Sequence, residues 1–429
     1  MLRLVNSPNY AAQLVEYDSK NVVALPNRDR IVGYKLLGHQ STISKDAYQD
    51  GDLLVFFPAG AQLSEDFIYA NSLSRNPEKN ANPEAKGYIE ANRRVKAISL
   101  GGNRSDALLL SADSLTFLTS TDPAWLKPGV VFDHVGEHEV CRKYVVKTPK
   151  QGSASGTKST RINIEGFHEH FDTGFLLRNT DKLDANDIIY VSAKVHGTST
   201  RIGHLPVKRD LKWYERIAKR LGVKVSEHEY QIIVGSRRVI KSVGNVAREG
   251  VKHHASLGTD IWTVATAHMH EQLPRGYMVY AEIIGHAPEG GEIQKGHTYG
   301  IPEKESVVLV YRVSFIDPDG EECDLSWHAM REFCERRGWN TVPHLGTWSW
   351  EALEPVVEMF LDKNFVYDSG PWSKDELLPL PADMKDEGIC VRLDKGRRPL
   401  ILKAKSPWHY RYAEKMLEQE VEDLEESQA

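Results

Sequence analysis

Apolar runs no longer than a single strand, set off by glycine, proline, asparagine and aspartate, recur along this chain from end to end. In the first 150 residues they read VVALPN, YKLLGHQSTIS, DLLVFFPA, VKAISL and DALLLS. Runs this short, alternating or fully apolar and bounded by turn residues, are strands. Packed this densely they predict a small all-β barrel, with one helix around Ser64 to Arg75. Beyond residue 162 strands continue in IIYVSAKV, YQIIVGSRRVI, GYMVYAEIIG, SVVLVYRVSFID, GICVRL and RPLILKAKS. Helical periodicity joins them in WTVATAHMHEQL, WHAMREFCERRG and SWEALEPVVEMFLDKN, so this part is mixed α and β.

At 429 residues the chain has room for two or three domains of roughly 150 residues each. Between the two patterns lies KTPKQGSASGTKST, whose Gly, Ser, Thr and Lys read as a linker. The expected division is 1–146, a linker at 147–160, a second domain at 161–412 and an acidic tail at 413–429. Lys+Arg 54 against Asp+Glu 60 leaves a net charge of −6, which excludes a generally basic coat while permitting a local basic groove. Two basic stretches qualify. Residues 141–161 carry six cations and no acid, and Lys208 to Lys224 carries seven cations against two acids on a helical pattern. No apolar run reaches the roughly 18 residues of a transmembrane helix, and the first 20 residues show no secretory pattern. The four cysteines, Cys141, Cys323, Cys334 and Cys390, form no CxxC pair. The expectation is a reduced, cytoplasmic protein without a zinc site, a membrane anchor or an obligate protein partner.

GGEIQKGHTYG contains glycines and a lysine but not the GxxxxGK[ST] spacing of a P-loop. The histidine pairs His168/His170, His253/His254 and His268/His270 lack HExxH spacing and read as ordinary surface or core residues. The informative pattern is distributed. Lys194 in SAKVHGTSTR ends an apolar strand just before a glycine turn. Arg237 in GSRRV, Glu282 in VYAEIIG, Glu387 in DEGICVR, and Lys403 and Lys405 in LILKAKS each sit on or beside an apolar strand. Residues two apart on a strand share a face, so Lys403 and Lys405 form a paired phosphate site or two solvated edge lysines. Each element alone is weak; five in this order are not.

In that order the motifs resemble the covalent nucleotidyltransferase superfamily of ligases and capping enzymes over about residues 165 to 406. KVHG resembles its nucleophile motif, which makes Lys194 the lysine that is adenylated. SRR, YAEIIG, DEGICVR and LKAKS resemble the motifs that follow, and Glu282 then contacts ribose. KxHG followed by Thr-Ser resembles the nick-sealing RNA ligase branch rather than the KxDG of DNA ligases and capping enzymes. The segment from Leu36 to Ser64 is similar to the OB module that precedes the catalytic domain in one RNA ligase family. DNA ligases place an OB domain after the last motif, and here 24 residues follow Lys405. The fold class implied is α+β: an N-terminal OB-like β-barrel, then a nucleotidyltransferase domain of antiparallel sheets flanked by helices.

The resemblance also implies a site. Lys194, His196, Gly197, Arg237, Glu282, Glu387, Lys403 and Lys405 surround the nucleotide. Tyr311 (with Phe315 as the alternative) stacks on adenine, and Arg178 contacts phosphates. Lys194, Glu387, Lys403 and Lys405 carry the chemistry, and Glu387 and Glu282 hold a divalent metal, Mg2+ or Mn2+. Attack on ATP needs a neutral amine, and nearby cations disfavour the ammonium form of Lys194. The implied activity is that of an ATP-dependent RNA ligase. It forms lysine–AMP, passes AMP to an RNA 5′-phosphate and seals it to a 3′-hydroxyl, with nicked duplex RNA as partner. The OB-like module and the basic helix would supply backbone contacts to the RNA. The competing expectations are an ATP-dependent DNA ligase and a non-catalytic OB-containing nucleic-acid-binding protein.

Overall fold

The computed structural model describes residues 1–116, 125–145, 162–244, 246–247, 260–317, 319–361 and 387–418. The linker expected at 147–160 and the end of the acidic tail lie outside these. The fold is mixed α/β, built from several antiparallel sheets and few helices. Among the described residues no helix is long and apolar enough to cross a membrane. Contacts divide the chain into two units. The first joins Met1–Thr148 with Gly174–Thr180 and Ala404–Val421; the second holds Pro149–Thr173 and Asp181–Lys403.

The N-terminal unit is built from β1 (Ala12–Glu16), β2 (Val22–Ala24), β3 (Ile31–Leu36), β4 (His39–Ser44), β5 (Leu53–Pro58), α1 (Glu65–Ala70), β6 (Ala107–Ser111) and β7 (Val131–Phe132). One sheet runs β6-β5-β1-β7 and a second runs β2-β3-β4, all antiparallel. The fully apolar run of β5 explains its central place: Leu54 to Phe57 are buried on both faces. Ser64 caps the expected helix by accepting from the Phe67 N–H at 3.2 Å.

The expected barrel needs correction, because the described strands close no barrel. Between β4 and the start of β6 the ladder thins to one backbone bond, from the Asp106 N–H to the Gln40 carbonyl at 2.8 Å, and side chains make the other bridges. Asp106 accepts from the Gln40 N–H at 2.8 Å, Ser41 Oγ donates to the Ala107 carbonyl at 3.0 Å, and the Thr42 N–H donates to Ser105 Oγ at 3.2 Å. Two sheets bridged by side chains satisfy the edge groups without continuous pairing.

This unit is completed by the end of the chain. Helix Pro407–Glu418 sends Glu414, buried, to Arg94 at 2.7 Å, and its Glu418 accepts from Lys96 at 2.9 Å.

The second unit contains two sheets. The larger is seven-stranded and antiparallel. It is formed by β9 (Thr198–Lys208), β10 (His228–Ser236), β11 (Ile240–Val243), β12 (Val246–Ala247), β13 (Tyr277–Gly285), β14 (Ser306–Ile316) and β15 (Glu322–Asp324), in the order β12-β11-β10-β9-β13-β14-β15. The other places β18 (Leu400–Lys405), β17 (Gly388–Leu393), β8 (Ile188–Lys194) and β16 (His344–Ser349) side by side. Helix α2 (Trp213–Arg220) interrupts the hairpin between β9 and β10; α3 (Ile261–His270) and α4 (Trp327–Glu335) cover the large sheet. Their caps are legible locally: Asp260 accepts from the Thr263 N–H at 3.2 Å and Ser326 from the Ala329 N–H at 3.3 Å. Ile202, Val234, Ile283 and Val310 of the sheet meet Trp262, Met269, Trp327 and Met330 of these helices in one core. Phe167, Leu205, Ile233 and Met278 form a second core.

Candidate active site

Lys194 is the last residue of β8 and Thr198 the first of β9, so Val195, His196 and Gly197 form the whole crossing from one sheet to the other. A crossing this short needs a residue without a side chain where it passes β13. A Cβ on Gly197 would lie 2.3 Å from the Ile283 carbonyl oxygen and 2.9 Å from Glu282 Cγ. The glycine is required by close approach of two backbones.

Lys194 Nζ donates to Glu387 Oε2 at 2.6 Å, and His196 Nδ1 lies 3.6 Å from the same oxygen. Glu387 is 2% exposed, so its charge is held among these two residues rather than in water. It immediately precedes β17, whose Gly388 pairs with Lys194, which sets carboxylate and amine side by side. Glu282 stands opposite Ser199 on the neighbouring strand and accepts from its Oγ at 3.3 Å.

On β18 the buried residues Leu402 and Ala404 alternate with half-buried Lys403 and Lys405, so the two lysines share a face. Lys403 belongs to the second unit and Lys405 to the first. The Cys390 thiol shows which charges gather here. Burial pushes its pKa up, and Lys194, Glu387, Lys403 and Glu282 all act on it. Arg237 donates to Asp172.

The register between β13 and β14 shifts at Tyr311. Tyr280 pairs with Arg312 and Ala281 with Val310, which leaves Tyr311 as the extra residue of a β-bulge. A bulge re-aims the side chain it carries. The ring of Tyr311 meets the edge of His170 at 5.2 Å. Burial, followed by the charges of Arg312, Arg237, Lys403 and Lys194, holds His170 well below the usual histidine range, so it is neutral. The bulge distinguishes Tyr311 from Phe315, which pairs regularly with Tyr277.

The family model for RNA ligase matches residues 187–405, a span that includes the crossing, Glu282, Glu387 and both β18 lysines. This chain belongs to the RNA ligase family. No curated protein matches it. Among solved structures it is similar to the Naegleria gruberi RNA ligase with PPi, at 17% identity and a TM-score of 0.57, covering 96% of this chain and 100% of that one. A lysine-to-methionine mutant of that ligase with AMP and Mn matches at 16% and 0.58, covering 95% and 99%. A glutamate-to-alanine mutant with ATP and Mn matches at 16% and 0.57, covering 95% and 99%. At these identities the likeness establishes the fold.

Arg178 of this RNA ligase closes the 3-10 turn Leu176–Arg178. It belongs to the N-terminal unit, where Nε donates to Gln13 Oε1 at 3.0 Å and the two terminal nitrogens to the carbonyls of Asn9 and Ala11 at 3.1 Å each. Burial pushes its pKa down to about 10. Three of its five N–H donors are thus used in holding Gly174–Thr180 to the first strand.

Three residues of the ligase escaped the sequence reading. The His196 N–H donates to Tyr299 Oη at 2.7 Å, and Gln294 Nε2 donates to the Gly197 carbonyl at 2.9 Å. The ring of His297, fully buried, meets that of His196 edge-on at 4.8 Å. Tyr299 is itself buried with φ at +54°, a conformation a bulky residue adopts only under constraint. All three come from GGEIQKGHTYG, which sequence spacing showed only to be no P-loop. The available signal was a tyrosine flanked by Thr and Gly in a loop rich in glycine, where a polar loop residue has no reason to be large.

Proposed function

We propose that the chain is an ATP-dependent RNA ligase of the KxHG type, joining a 3′-hydroxyl to a 5′-phosphate at nicks in duplex RNA through AMP carried on Lys194. The observation that supports this is the Lys194–Glu387–His196 arrangement. A single amine at the end of a strand faces one buried carboxylate, inside the span shared with the family. The Naegleria gruberi RNA ligase structures with PPi, with AMP and Mn, and with ATP and Mn support a lysine that exchanges these species.

Three steps follow. In the first, Lys194 leaves Glu387, passes a proton to solvent water and attacks the α-phosphorus of ATP as the neutral amine; an N–P bond forms as the bond to pyrophosphate breaks. Lys403 and Arg237 supply positive charge to the crowded phosphate oxygens and the departing pyrophosphate, and Lys405 on the same strand face adds to it. Tyr311 presents its ring to adenine, and Glu282 holds a ribose hydroxyl while Ser199 fixes its carboxylate. In the second step an RNA 5′-phosphate oxygen displaces Lys194 from AMP. In the third, a 3′-hydroxyl attacks that phosphate and AMP leaves. His196 stays on the carboxylate face, and Arg178 secures the N-terminal unit, whose OB-like sheets would take the RNA backbone.

Among the described residues no group of three or more metal ligands occurs. Glu387, with Glu282, is therefore a sparse set of hard oxygens, which fits Mg2+ or Mn2+ sharing its shell with waters and phosphates. Such an ion would neutralise phosphate charge there.

The test is incubation of the whole protein with α-labelled ATP. Covalent label removed by digestion with the Lys194 peptide supports the reading. Label on another lysine, or from GTP alone, rejects it. Sealing of otherwise identical nicks with RNA or DNA 3′ ends separates RNA ligase from DNA ligase.

A further inference from the structure

Helix α2 buries no residue. Trp213, Ile217 and Leu221, spaced by four, fall on one face and are 74%, 48% and 77% exposed; Tyr214 and Val223 beside them are also exposed. An apolar stripe left this exposed is unusual unless it meets something. Lys212, Arg216, Arg220 and Lys224 surround it, and among the described residues none of the four has a carboxylate at ion-pair distance. The local acid Glu215 is taken by Arg209 at 2.6 Å, and Glu227 by Lys219. Arg216 spends only its Nε, on the Leu211 carbonyl at 3.0 Å, and Lys212 lies over the Tyr214 ring, so the positive charge of the four is not neutralised by an ion pair and can meet an outside anion.

The placement is specific. β9 and β10 pair without interruption from Thr200 with Ser236 to Lys208 with His228. Eight steps of about 3.3 Å put the base of α2 some 26 Å along the strands from the nucleophile end. The helix cannot reach the reacting phosphate, but a polynucleotide engaged there can reach the helix.

We infer that α2 is a docking platform for a single-stranded stretch of RNA beyond the joint, with Trp213 stacking on an unpaired base and Arg216, Arg220, Lys212 and Lys224 taking phosphates. Charge complementarity selects this occupant. A second copy of the chain on the same stripe would set two strongly basic surfaces against each other, whereas RNA supplies both the anion and the flat ring that an exposed aromatic prefers. The inference rests on the RNA ligase reading for its choice of polyanion.

The experiment compares the full chain with Trp213→Ala, Trp213→Phe and the double variant Arg216→Ala/Arg220→Ala. The probe is a fluorescent nicked RNA duplex ending in a 3′-deoxy nucleotide, so that it cannot be sealed, made with and without a single-stranded overhang. Trp213→Ala should bind the overhang duplex about tenfold more weakly and the blunt duplex unchanged, and Trp213→Phe should restore binding. The double variant should flatten the dependence of log K on log salt by roughly 1.5. Transfer of AMP from ATP in the absence of RNA should stay at the level of the full chain. Equal binding of the overhang duplex by Trp213→Ala overturns the proposal. So does a change confined to sedimentation, which would assign the stripe to a second copy, or to binding of anionic vesicles, which would assign it to a membrane. If the full chain takes no AMP from ATP, the ligase reading fails by itself and the overhang comparison still decides the helix.

Discussion

The two ends of strand β9 are built in opposite ways. At one end the crossing from Lys194 to Thr198 is fastened on every side: Gly197 touches the neighbouring backbone, Tyr299 holds the His196 N–H, and Gln294 holds the Gly197 carbonyl. At the other end α2 buries nothing and keeps its apolar face in water. If Lys194 attacks phosphorus in line, as proposed, its geometry has to be set beforehand. If α2 meets a flexible polymer, as inferred, exposure serves it instead, and β9 separates the two.

The comparison breaks first at the fastened end. Lys194→Ala should abolish covalent AMP transfer, read as label on the protein, and should lower the melting temperature as well, because buried Glu387 loses its amine; label on another lysine rejects the assignment. Lys403→Ala should lower AMP transfer by about 100-fold, the scale of losing one preorganised charge at a phosphate; normal transfer would leave Lys403 a solvated lysine.

Gly197→Ala should be the most damaging change to the crossing itself. Its new methyl group meets the Ile283 carbonyl at 2.3 Å, where backbone must move. A loss of roughly 1–3 kcal/mol in chemical denaturation is expected, with AMP transfer reduced as well. The matching change at the exposed end sharpens the contrast. Gly222 has φ at +84° with open space around it, so Gly222→Ala meets only backbone strain. It should cost about 1 kcal/mol or less and leave AMP transfer intact.

Tyr299→Phe removes one oxygen and strands a buried N–H, a cost of about 1–3 kcal/mol if the whole penalty is expressed. As a positioning residue, Tyr299 should lower kcat of AMP transfer about tenfold with little change in the KM for ATP. A change in melting temperature alone would make Tyr299 a structural residue only.

The residues that carry charge were legible because each sits at a fixed place relative to an apolar strand. Lys194 ends β8, Glu387 precedes β17, and Lys403 and Lys405 alternate with buried neighbours on β18. Strand periodicity is a local property, so it survives in a single sequence. The residues that hold the crossing were not legible, because a hydrogen bond from His196 to Tyr299 spans 103 positions and leaves no local period. The bulge that sets Tyr311 apart from Phe315 is equally invisible locally, because it depends on register with another strand. The N-terminal strands were readable as strands, yet their failure to close was not: it rests on Asp106, Ser41 and Ser105 bridging where a ladder was expected. The partners of Arg178 are just as remote in sequence, since its three acceptors come from the first 13 residues.

The first unit of the molecule draws on the last helix of the chain, through buried Glu414 on Arg94. Synthesis runs in the other direction. When residue 148 leaves the ribosome, the Arg94 guanidinium has no carboxylate to meet for another 266 residues, and Gly174–Thr180 is also still to come. At typical elongation rates that delay is roughly 13–53 s. A unit that cannot finish until residue 414 is made sets its own timetable: the second unit has nearly all its strands in hand before the N-terminal unit gains this ion pair, although the N-terminal residues were made first.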